Sequence, residues 1–276
     1  MEASGVALVT GASRGIGRAV ALELAGRGFE VVASMRDPAA GESLGAEAQG
    51  LAARVRVERL DVEEPESIHI PDGLRVLVNN AGVEGPYLPV EEAPSELWRR
   101  IFETNVFGLL ETTRRAIPAL RASGGGVICN ITSCSLLHPV PFFAAYRASK
   151  AAVAALGESL CAELAPFGIR IVEIMPGPID TDMLAGSDRP PEALEYAPYR
   201  RMAERYHAGR QSVADAVTPA SEAARRIADA ILDDEGPLRH GCDPMSTDML
   251  EGWRKSDDET WLRALLGAFS APAGDD

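Results

Sequence analysis

The sequence has few of the features that mark disulfide-linked, metal-binding or membrane-spanning proteins. Its four cysteines form no CxxC pair and have no histidine at zinc-site spacing, so we expect free thiols in a reducing compartment. None of its four histidines has a carboxylate or second histidine at ligand spacing, and we predict no metal site. No apolar run approaches the ~20 residues that a membrane-spanning helix needs, which predicts no membrane association.

Positive charge is also scarce. The chain has 27 Lys and Arg against 41 Asp and Glu, a formal net charge of −14. This balance argues against a nucleic-acid or anionic-membrane partner. The first predicted strand begins at Val6, which leaves no room for a signal peptide ahead of it, and we expect a cytoplasmic protein.

The length and composition are those of one large α/β domain. The chain has 276 residues, of which 46% are hydrophobic and 25% charged. We see no domain boundary or internal repeat and predict a single domain spanning 1–276.

Short apolar runs alternate with longer amphipathic segments, which is the pattern of repeated βαβ units. The predicted strands are 6–10, 30–34, 55–60, 75–79, 127–132 and 170–175. The predicted helices are 14–27 with Gly28 as C-cap, 95–104 with Ser95 as N-cap, 106–121, 146–165, 219–232 and terminal helices within 247–269. We therefore predict an α/β fold with one doubly wound parallel sheet and helices on both faces.

A glycine-rich turn, TGASRGIG at 10–17, joins the first strand to the first helix. Gly11, Gly15 and Gly17 allow a tight turn and let backbone N–H groups approach a pyrophosphate at the positive end of the helix. The context predicts the dinucleotide site of a Rossmann-type sheet, with a purely structural turn as the alternative.

The end of the second strand indicates which dinucleotide binds. NAD-binding sheets present a carboxylate there, whereas this chain has Met35 followed by Arg36, and the acid Asp37 comes one position later. Arg36 and Arg14 together can bind a 2′-phosphate, so we predict NADP(H) rather than NAD(H). The alternative is that Arg36 is a solvated loop residue.

Tyr146 and Lys150, in the segment YRASK, predict acid–base chemistry. They lie at i and i+4 on one face of a predicted helix, and Ser133 ends the fifth predicted strand. A free tyrosine has a pKa near ~10, and an adjacent ammonium favours the phenolate. Alone, the pair is equally consistent with an ordinary exposed helix pair.

Taken together, these motifs resemble the short-chain dehydrogenase/reductase family along nearly the whole chain. The matching segments are TGASRGIG at 10–17, Leu60-Asp61-Val62, NNAG at 79–82, Asn105, Ser133, YRASK at 146–150 and PGPIDT at 176–181. The arginine at 36 is most similar to NADP-preferring members, including those similar to hydroxysteroid dehydrogenases.

The resemblance implies a role for each matching residue. Tyr146 would exchange a proton with the substrate oxygen, Lys150 would lower the tyrosine pKa and bind the nicotinamide ribose, and Ser133 would hydrogen-bond the substrate oxygen. Asn105 would hold a water that links Lys150 to solvent. The expected cofactor-binding residues are Gly11, Ser13, Arg14, Gly15, Ile16, Gly17, Arg36, Asp61, Val62, Asn79, Ala81, Gly82, Tyr146, Lys150, Pro176, Gly177, Ile179 and Thr181.

The leading functional prediction is an NADP(H)-dependent oxidoreductase that interconverts a ketone and a secondary alcohol. An NADP(H)-binding sensor without turnover is the alternative. Such a protein would have no need to retain all four candidate catalytic residues, namely Ser133, Tyr146, Lys150 and Asn105. Reduction of conjugated double bonds fits less well, because the Ser-Tyr-Lys arrangement suits a carbonyl oxygen. The direction of the reaction stays open.

The segment 182–210 is expected to select the substrate, which the sequence does not identify. The apolar run 136–143 and the segment 184–206 form either an apolar substrate pocket or an ordinary packing contact. The family resemblance implies a homodimer or homotetramer formed through helices 106–121 and 146–165.

Overall fold

One parallel sheet organises the part of the chain that this computed structural model describes, namely residues 1–48, 50, 54–187, 189–211 and 216–266. Its strands are β1 (Val6–Val9), β2 (Glu30–Met35), β3 (Val55–Arg59), β4 (Leu74–Asn79), β5 (Gly126–Ile131), β6 (Ile169–Ile174) and β7 (Arg239–His240). They lie in the order β3-β2-β1-β4-β5-β6-β7, and all neighbouring strands are parallel. Strands β1 and β5 are buried along their whole length, as their continuous apolar runs predict.

Helices cover both faces of the sheet. They are α1 (Gly15–Arg27), α2 (Glu42–Glu47), α3 (Ser95–Phe102), α4 (Leu109–Ala122), α5 (Ala144–Leu164), α6 (Asp182–Ser187), α7 (Arg200–Gln211), α8 (Ala220–Leu232), α9 (Pro244–Arg254) and α10 (Asp258–Leu266). Helices α1 and α8 pack on one face through Leu24 and Ile227, and α4 and α5 pack on the other through Leu120 and Leu160. The predicted doubly wound α/β fold is confirmed.

Most helix ends lie close to their predicted positions, and glycine explains one of them. Helix α1 ends at Gly28, which has φ 123° and donates its N–H to the carbonyl of Leu24 at 3.2 Å. The terminal helices pack back on the sheet as predicted: Leu250 is buried with Leu137, and the Trp261 indole donates to the Leu137 carbonyl. Positions 267–269 of the predicted terminal helices lie outside the described residues.

The region of Asn105 differs from the sequence expectation. The prediction of two separate helices at 95–104 and 106–121 is wrong, because α3 and α4 are joined without a break by a π-helical turn, Glu103–Gly108. Ser95 is not an N-cap either: it is the first helical residue, and Pro94 precedes it without a side-chain cap. Asn105 is buried within the π turn, a backbone form that occurs often at functional sites.

Within these described ranges, no helix is both long enough and apolar enough to cross a membrane. No group of three or more His, Cys, Asp or Glu side chains in the same ranges is arranged to hold a metal ion. All four cysteines are free thiols, and burial raises the pKa of Cys129 and of Cys134 to about 12.

Candidate active site

The candidate site lies where β1, β4, β5 and β6 reach the carboxyl edge of the sheet. Strand β1 lies between β2 and β4, so the chain leaves the sheet in opposite directions from this point. Such a reversal opens a crevice in which parallel α/β sheets bind ligands. The glycine turn follows β1, the NNAG segment follows β4, Ser133 follows β5 and the 176–181 loop follows β6.

The glycine turn needs glycine for both conformation and space. Gly11 and Gly15 have φ of 66° and 55°, which other residues rarely adopt. A Cβ on Gly17 would overlap the side-chain amide of Asn80 and the carbonyl of Gly11. Arg14, the N-cap of α1, makes no side-chain cap, and the first N–H groups of a helix lack intrahelical partners. The turn therefore fits a bound phosphate.

Asn80 ties the glycine turn to the end of β4, although sequence reasoning did not single it out. Its side-chain amide donates to the carbonyls of Thr10 and Gly11 at 2.9 and 3.1 Å, and the Thr10 hydroxyl accepts from the N–H groups of Asn80 and Ala81. Asn79, by contrast, directs its buried side chain into the core, where it donates to Thr113 and Asn130. Only the backbone of Asn79 is left to contact a cofactor.

The end of β2 presents an arginine to the crevice. Met35 is 2% exposed and packs against Gly41, so the position expected to carry an acid belongs to the core. Arg36 is exposed, and Arg14 is exposed with its guanidinium 3.5 Å from Asp182. Asp37 accepts from the N–H of Ala39 at 3.0 Å and so caps its own turn. The two arginines are the groups here that suit a phosphate.

Asp61 and Val62, two of the expected cofactor-binding residues, have different environments. Asp61 is half-buried, and its carboxylate accepts from the N–H of Glu63 at 3.1 Å. Val62 is buried against Gly108, where a Cβ would come within 2.8 Å of it. The Val62 contact joins this loop to the π turn.

Ser133, Tyr146 and Lys150 meet at the end of β5. The Lys150 ammonium donates to the carbonyl of Ile131 at 2.8 Å and lies 5.6 Å from the ring centre of Tyr146. Tyr146 is 8% exposed, and its ring stacks on that of Phe143 with centroids 4.5 Å apart. The spacing of YRASK thus places phenol and ammonium on one buried face of α5.

Asn105 connects three elements around this centre. Its side-chain oxygen accepts from the N–H of Val83 at 2.8 Å, and its amide donates to the Val83 carbonyl at 2.9 Å. The same amide donates to the Ser149 hydroxyl at 3.0 Å. Asn105 thereby fixes the loop after β4 against α5, and no polar atom of its side chain is left without a partner.

Burial controls the acid–base properties of the centre. It raises the pKa of Tyr146 above its ordinary value, the Glu84 carboxyl raises that pKa further, and the nearby Ser133 hydroxyl lowers it. Burial also lowers the pKa of Lys150 to about 8. Desolvation of the phenol is thus the dominant influence in this structure, and the prediction that Lys150 lowers the tyrosine pKa stays a prediction.

The loop after β6 is held by a residue that sequence reasoning missed. Asp243 is 0% exposed, and its carboxylate accepts from the N–H of Gly177 at 2.7 Å. Ile179 is buried and pairs with Thr218, and the Thr181 methyl lies against Gly15. The carbonyl of Pro176 accepts from the N–H of Cys134, which follows Ser133. The 176–181 loop therefore contacts both the glycine turn and the reacting centre.

Aromatic residues close the side of the site where a substrate would enter. The run 136–143 packs against 184–206 in a cluster that contains Tyr87, Phe142, Ala193, Ala203 and Tyr206. A small apolar cavity of about 10 Å³ reaches Tyr146 and Phe143. The two segments pack on each other, as the packing alternative predicts, and Phe142 and Phe143 border this cavity, whereas none of the described residues of 184–206 lines it. An apolar substrate pocket formed by both segments stays a prediction.

Charged groups also face this region. Arg189 lies 3.9 Å from Glu84 and 3.2 Å from Glu192, and its guanidinium stacks over Tyr87. Arg210 donates to the hydroxyls of Tyr87 and Tyr206. No local sequence pattern indicated this set, because its members come from 84–87 and 189–210.

This fold, with a phosphate-binding turn beside a Ser-Tyr-Lys centre, is that of a dinucleotide-dependent oxidoreductase. Residues 5–191 match the family model for short chain dehydrogenase. The chain belongs to this family of oxidoreductases.

Two curated relatives and one solved structure illustrate the relationship. The uncharacterized oxidoreductase YusZ of Bacillus subtilis is 38% identical over 194 residues, covering 66% of this chain and 68% of YusZ. The 3beta-hydroxysteroid dehydrogenase 1 of Eggerthella lenta is 37% identical over 196 residues, covering 67% of this chain and 75% of that protein. A short chain dehydrogenase from Burkholderia cenocepacia J2315, solved in complex with NADP, superposes with a TM-score of 0.74 at 29% identity, covering 99% of this chain and 100% of that one.

Proposed function

We propose that this protein is an NADP(H)-dependent oxidoreductase that interconverts a ketone and a secondary alcohol, with Tyr146 as general acid and base. The observation that carries the proposal is the convergence of Ser133, Tyr146 and Lys150 beside the glycine turn. Small-molecule carbonyl or alcohol compounds are its proposed substrates.

The residues of the crevice fit a dinucleotide, because Gly11 and Gly15 give the turn its positive φ angles and the N-terminus of α1 has no side-chain cap that would compete with a phosphate. The bound nicotinamide would supply or accept the hydride. The proposed binding residues are Gly11, Ser13, Arg14, Gly15, Ile16, Gly17, Arg36, Asp61, Val62, Asn79, Ala81, Gly82, Tyr146, Lys150, Pro176, Gly177, Ile179 and Thr181. Arg14 and Arg36, both exposed at the end of β2 and the start of α1, support the choice of NADP(H), as does the NADP complex of the Burkholderia protein.

Proton transfer is assigned to the groups of the reacting centre. Tyr146 would donate its proton to the carbonyl oxygen during reduction, and Ser133 would hydrogen-bond the same oxygen. Lys150 would hold the ribose hydroxyls, and Asn105 would keep the loop at Val83 and helix α5 in register while a water relays protons to solvent. Because burial keeps the Tyr146 pKa high, the phenol is protonated at neutral pH. That form can donate a proton to a carbonyl oxygen, and the phenolate it leaves would accept a proton in the reverse reaction.

Assembly into a homodimer is a separate proposal. Helix α5 exposes Ala151 and Ala155 in an open groove of about 490 Å³, which Trp253 also lines. Small residues on an exposed helix allow a second helix to approach closely. Light scattering of the wild type and of an Ala151→Glu variant tests this assignment, since a monomeric wild type contradicts it.

Turnover is tested by NADPH oxidation with a panel of ketones. Tyr146→Phe should lower kcat by a factor of roughly 10² to 10⁴, since general acid catalysis contributes about that much, while NADPH affinity stays within about 3-fold. Tyr199→Phe is the matched control, because its hydroxyl bonds Glu91 on the surface. NADPH binding without turnover of any ketone or alcohol would favour the sensor.

A further inference from the structure

Glu84 lies next to the reacting centre and is held there from both sides. The preceding residue, Val83, has both backbone polar groups bound by Asn105 at 2.8 and 2.9 Å. The carbonyl of the following residue, Gly85, accepts from Arg189 at 3.1 Å, and Gly85 borders the same cavity as Tyr146. The backbone at Glu84 is therefore fixed beside the cavity, and the Glu84 carboxyl is close enough to Tyr146 to raise the pKa of that phenol.

The Glu84 carboxylate is largely buried and lacks hydrogen bonds. Its side chain is 16% exposed, and within the described part of the chain no donor forms a hydrogen bond to it. Its nearest cation, Arg189, lies 3.9 Å away, near the limit of an ion pair. Burial raises the pKa of Glu84 to about 7, which the arginines at 189 and 210 only partly offset. A buried carboxylate without donors is costly, so a partner from a ligand would satisfy it.

Glu192 pairs with the same arginine, Arg189, yet its carboxylate is fully hydrogen-bonded. The surroundings therefore do not by themselves leave a carboxylate without hydrogen bonds. Its carboxylate accepts from the N–H of Tyr87 at 2.8 Å and from Arg189 at 3.2 Å. Both oxygens of Glu192 are therefore used by the protein. Of the two carboxylates, Glu84 is the one whose hydrogen-bonding capacity remains for a ligand.

The surrounding charges indicate what kind of group that ligand carries. Arg189 and Arg210 would repel an ammonium, whereas Glu84 and Glu192 would repel a carboxylate or phosphate. A neutral hydroxyl can donate to the Glu84 carboxylate without either repulsion.

We propose that Glu84 is a specificity-determining residue that accepts a hydrogen bond from a substrate hydroxyl, so that the preferred substrates are neutral hydroxy ketones and the corresponding diols. This inference rests on the proposed function, because it assigns the substrate class of the same site. It departs from a purely apolar pocket, since the apolar cavity then holds the carbon skeleton and Glu84 the additional hydroxyl.

The test compares alcohols that differ by one hydroxyl. Oxidation by the complete chain with NADP is measured for cyclohexanol against cyclohexane-1,2-diol, butan-2-ol against butane-2,3-diol, and indan-1-ol against indane-1,2-diol. A hydrogen bond to a charged group predicts a kcat/KM about 10- to 100-fold higher for the diol in at least one pair. Glu84→Ala should bring that ratio close to one, because the diol loses more activity than the mono-alcohol; any change common to both substrates reflects the lower Tyr146 pKa. Glu84→Gln, which keeps an acceptor oxygen, should retain part of the preference.

Three further results would show that the inference fails. Glu192→Gln alters the same arginine while leaving Glu84 in place, so an equal loss of diol preference in that variant would overturn the assignment to Glu84. A wild type that oxidises mono-alcohols as well as diols would also overturn it while leaving the proposed function intact. Turnover of no substrate with NADPH bound would refute the proposed function and this inference with it. Diol-specific thermal stabilisation of the wild-type NADPH complex, lost in Glu84→Ala, gives a readout independent of turnover.

Discussion

The carboxylate of Asp243 accepts a hydrogen bond from the backbone N–H of Gly177 at 2.7 Å. It also caps α9 by accepting from the N–H of Ser246 at 2.9 Å, and Asp243 is fully buried. A Cβ on Gly177 would come within 2.5 Å of this carboxylate, so only glycine allows the approach. The Asp243 side chain thus caps α9 and also fixes the 176–181 loop, which we propose contacts the nicotinamide cofactor.

Asp243→Asn should therefore weaken cofactor binding as well as the fold. The asparagine amide would point its N–H groups at the N–H of either Gly177 or Ser246, and that hydrogen bond would be lost. We therefore expect NADPH affinity to fall about 10-fold and the free energy of unfolding to fall by ~1–2 kcal/mol. Fluorescence titration and thermal unfolding measure the two effects. Asp257→Asn is the matched control, because Asp257 caps α10 by accepting from Thr260 on the surface. If both variants lose stability but bind NADPH equally well, Asp243 is only a helix cap.

Features encoded by neighbouring residues could be predicted from sequence. The glycine turn between a strand and a helix, and Tyr146 four residues before Lys150, depend on local spacing, and the structure places them as expected. The alternation of apolar and amphipathic segments was sufficient for the doubly wound sheet. Strand β7 was missed because its two residues, Arg239 and His240, contain no apolar run.

Features that depend on distant contacts could not be predicted. Asp243 and Gly177 are 66 residues apart, and Tyr87 and Glu192 are 105 residues apart. An Asp-Pro pair at 243–244 is a helix-start signal that could have marked α9, but not its bond to Gly177. The burial that raises the Tyr146 pKa could not be predicted either, because burial is a property of the whole fold.

Arg36→Asp should change cofactor preference from NADPH toward NADH. An exposed arginine beside the end of β2 favours a 2′-phosphate, whereas aspartate would repel it and accept from ribose hydroxyls. We expect the NADPH/NADH ratio of kcat/KM to fall by about 100-fold or more, since charge-assisted bonds are each worth ~1.5–3 kcal/mol. Arg114→Asp, on the surface of α4, controls for the change in net charge. An unchanged ratio would leave Arg36 as a solvated loop residue.

Lys150 should titrate near neutral pH, and the sequence makes this measurable. Lys150 and Lys255 are the only lysines in the chain, so lysine-selective isotope labelling gives two side-chain signals. Burial lowers the Lys150 pKa to about 8, so the buried amine should lose its charge as the pH rises through that value. Lys150→Arg identifies the signal and keeps the positive charge. If the charge is needed for turnover, kcat/KM should fall above pH ~8 in the wild type but not in an active arginine variant. A Lys150 signal that does not titrate between pH 6 and pH 9.5 would contradict the desolvated environment.

Glu84→Gln should stabilise the protein at alkaline pH. The pKa of Glu84 is raised to about 7 in the folded chain, against ~4.3 for an unfolded glutamate, so the folded state binds the proton more tightly. The resulting penalty is absent below pH ~4, grows as the pH rises from ~4 to 7, and is complete above pH 7. At ~1.4 kcal/mol per pH unit, it reaches at most roughly 4 kcal/mol. Glutamine cannot ionise, so the variant should gain several degrees in Tm at pH 8 and little at pH 4.5. Glu192→Gln should have the opposite effect and lower the Tm at pH 8. Burial raises the Glu192 pKa, but hydrogen bonds from its own backbone, the Tyr87 amide and Arg189 outweigh this and lower the pKa overall, so the ionised form stabilises the fold. A Glu84→Gln variant that loses stability at pH 8 would show that the protein itself satisfies this carboxylate, and would remove the physical reason for a substrate hydroxyl at that position.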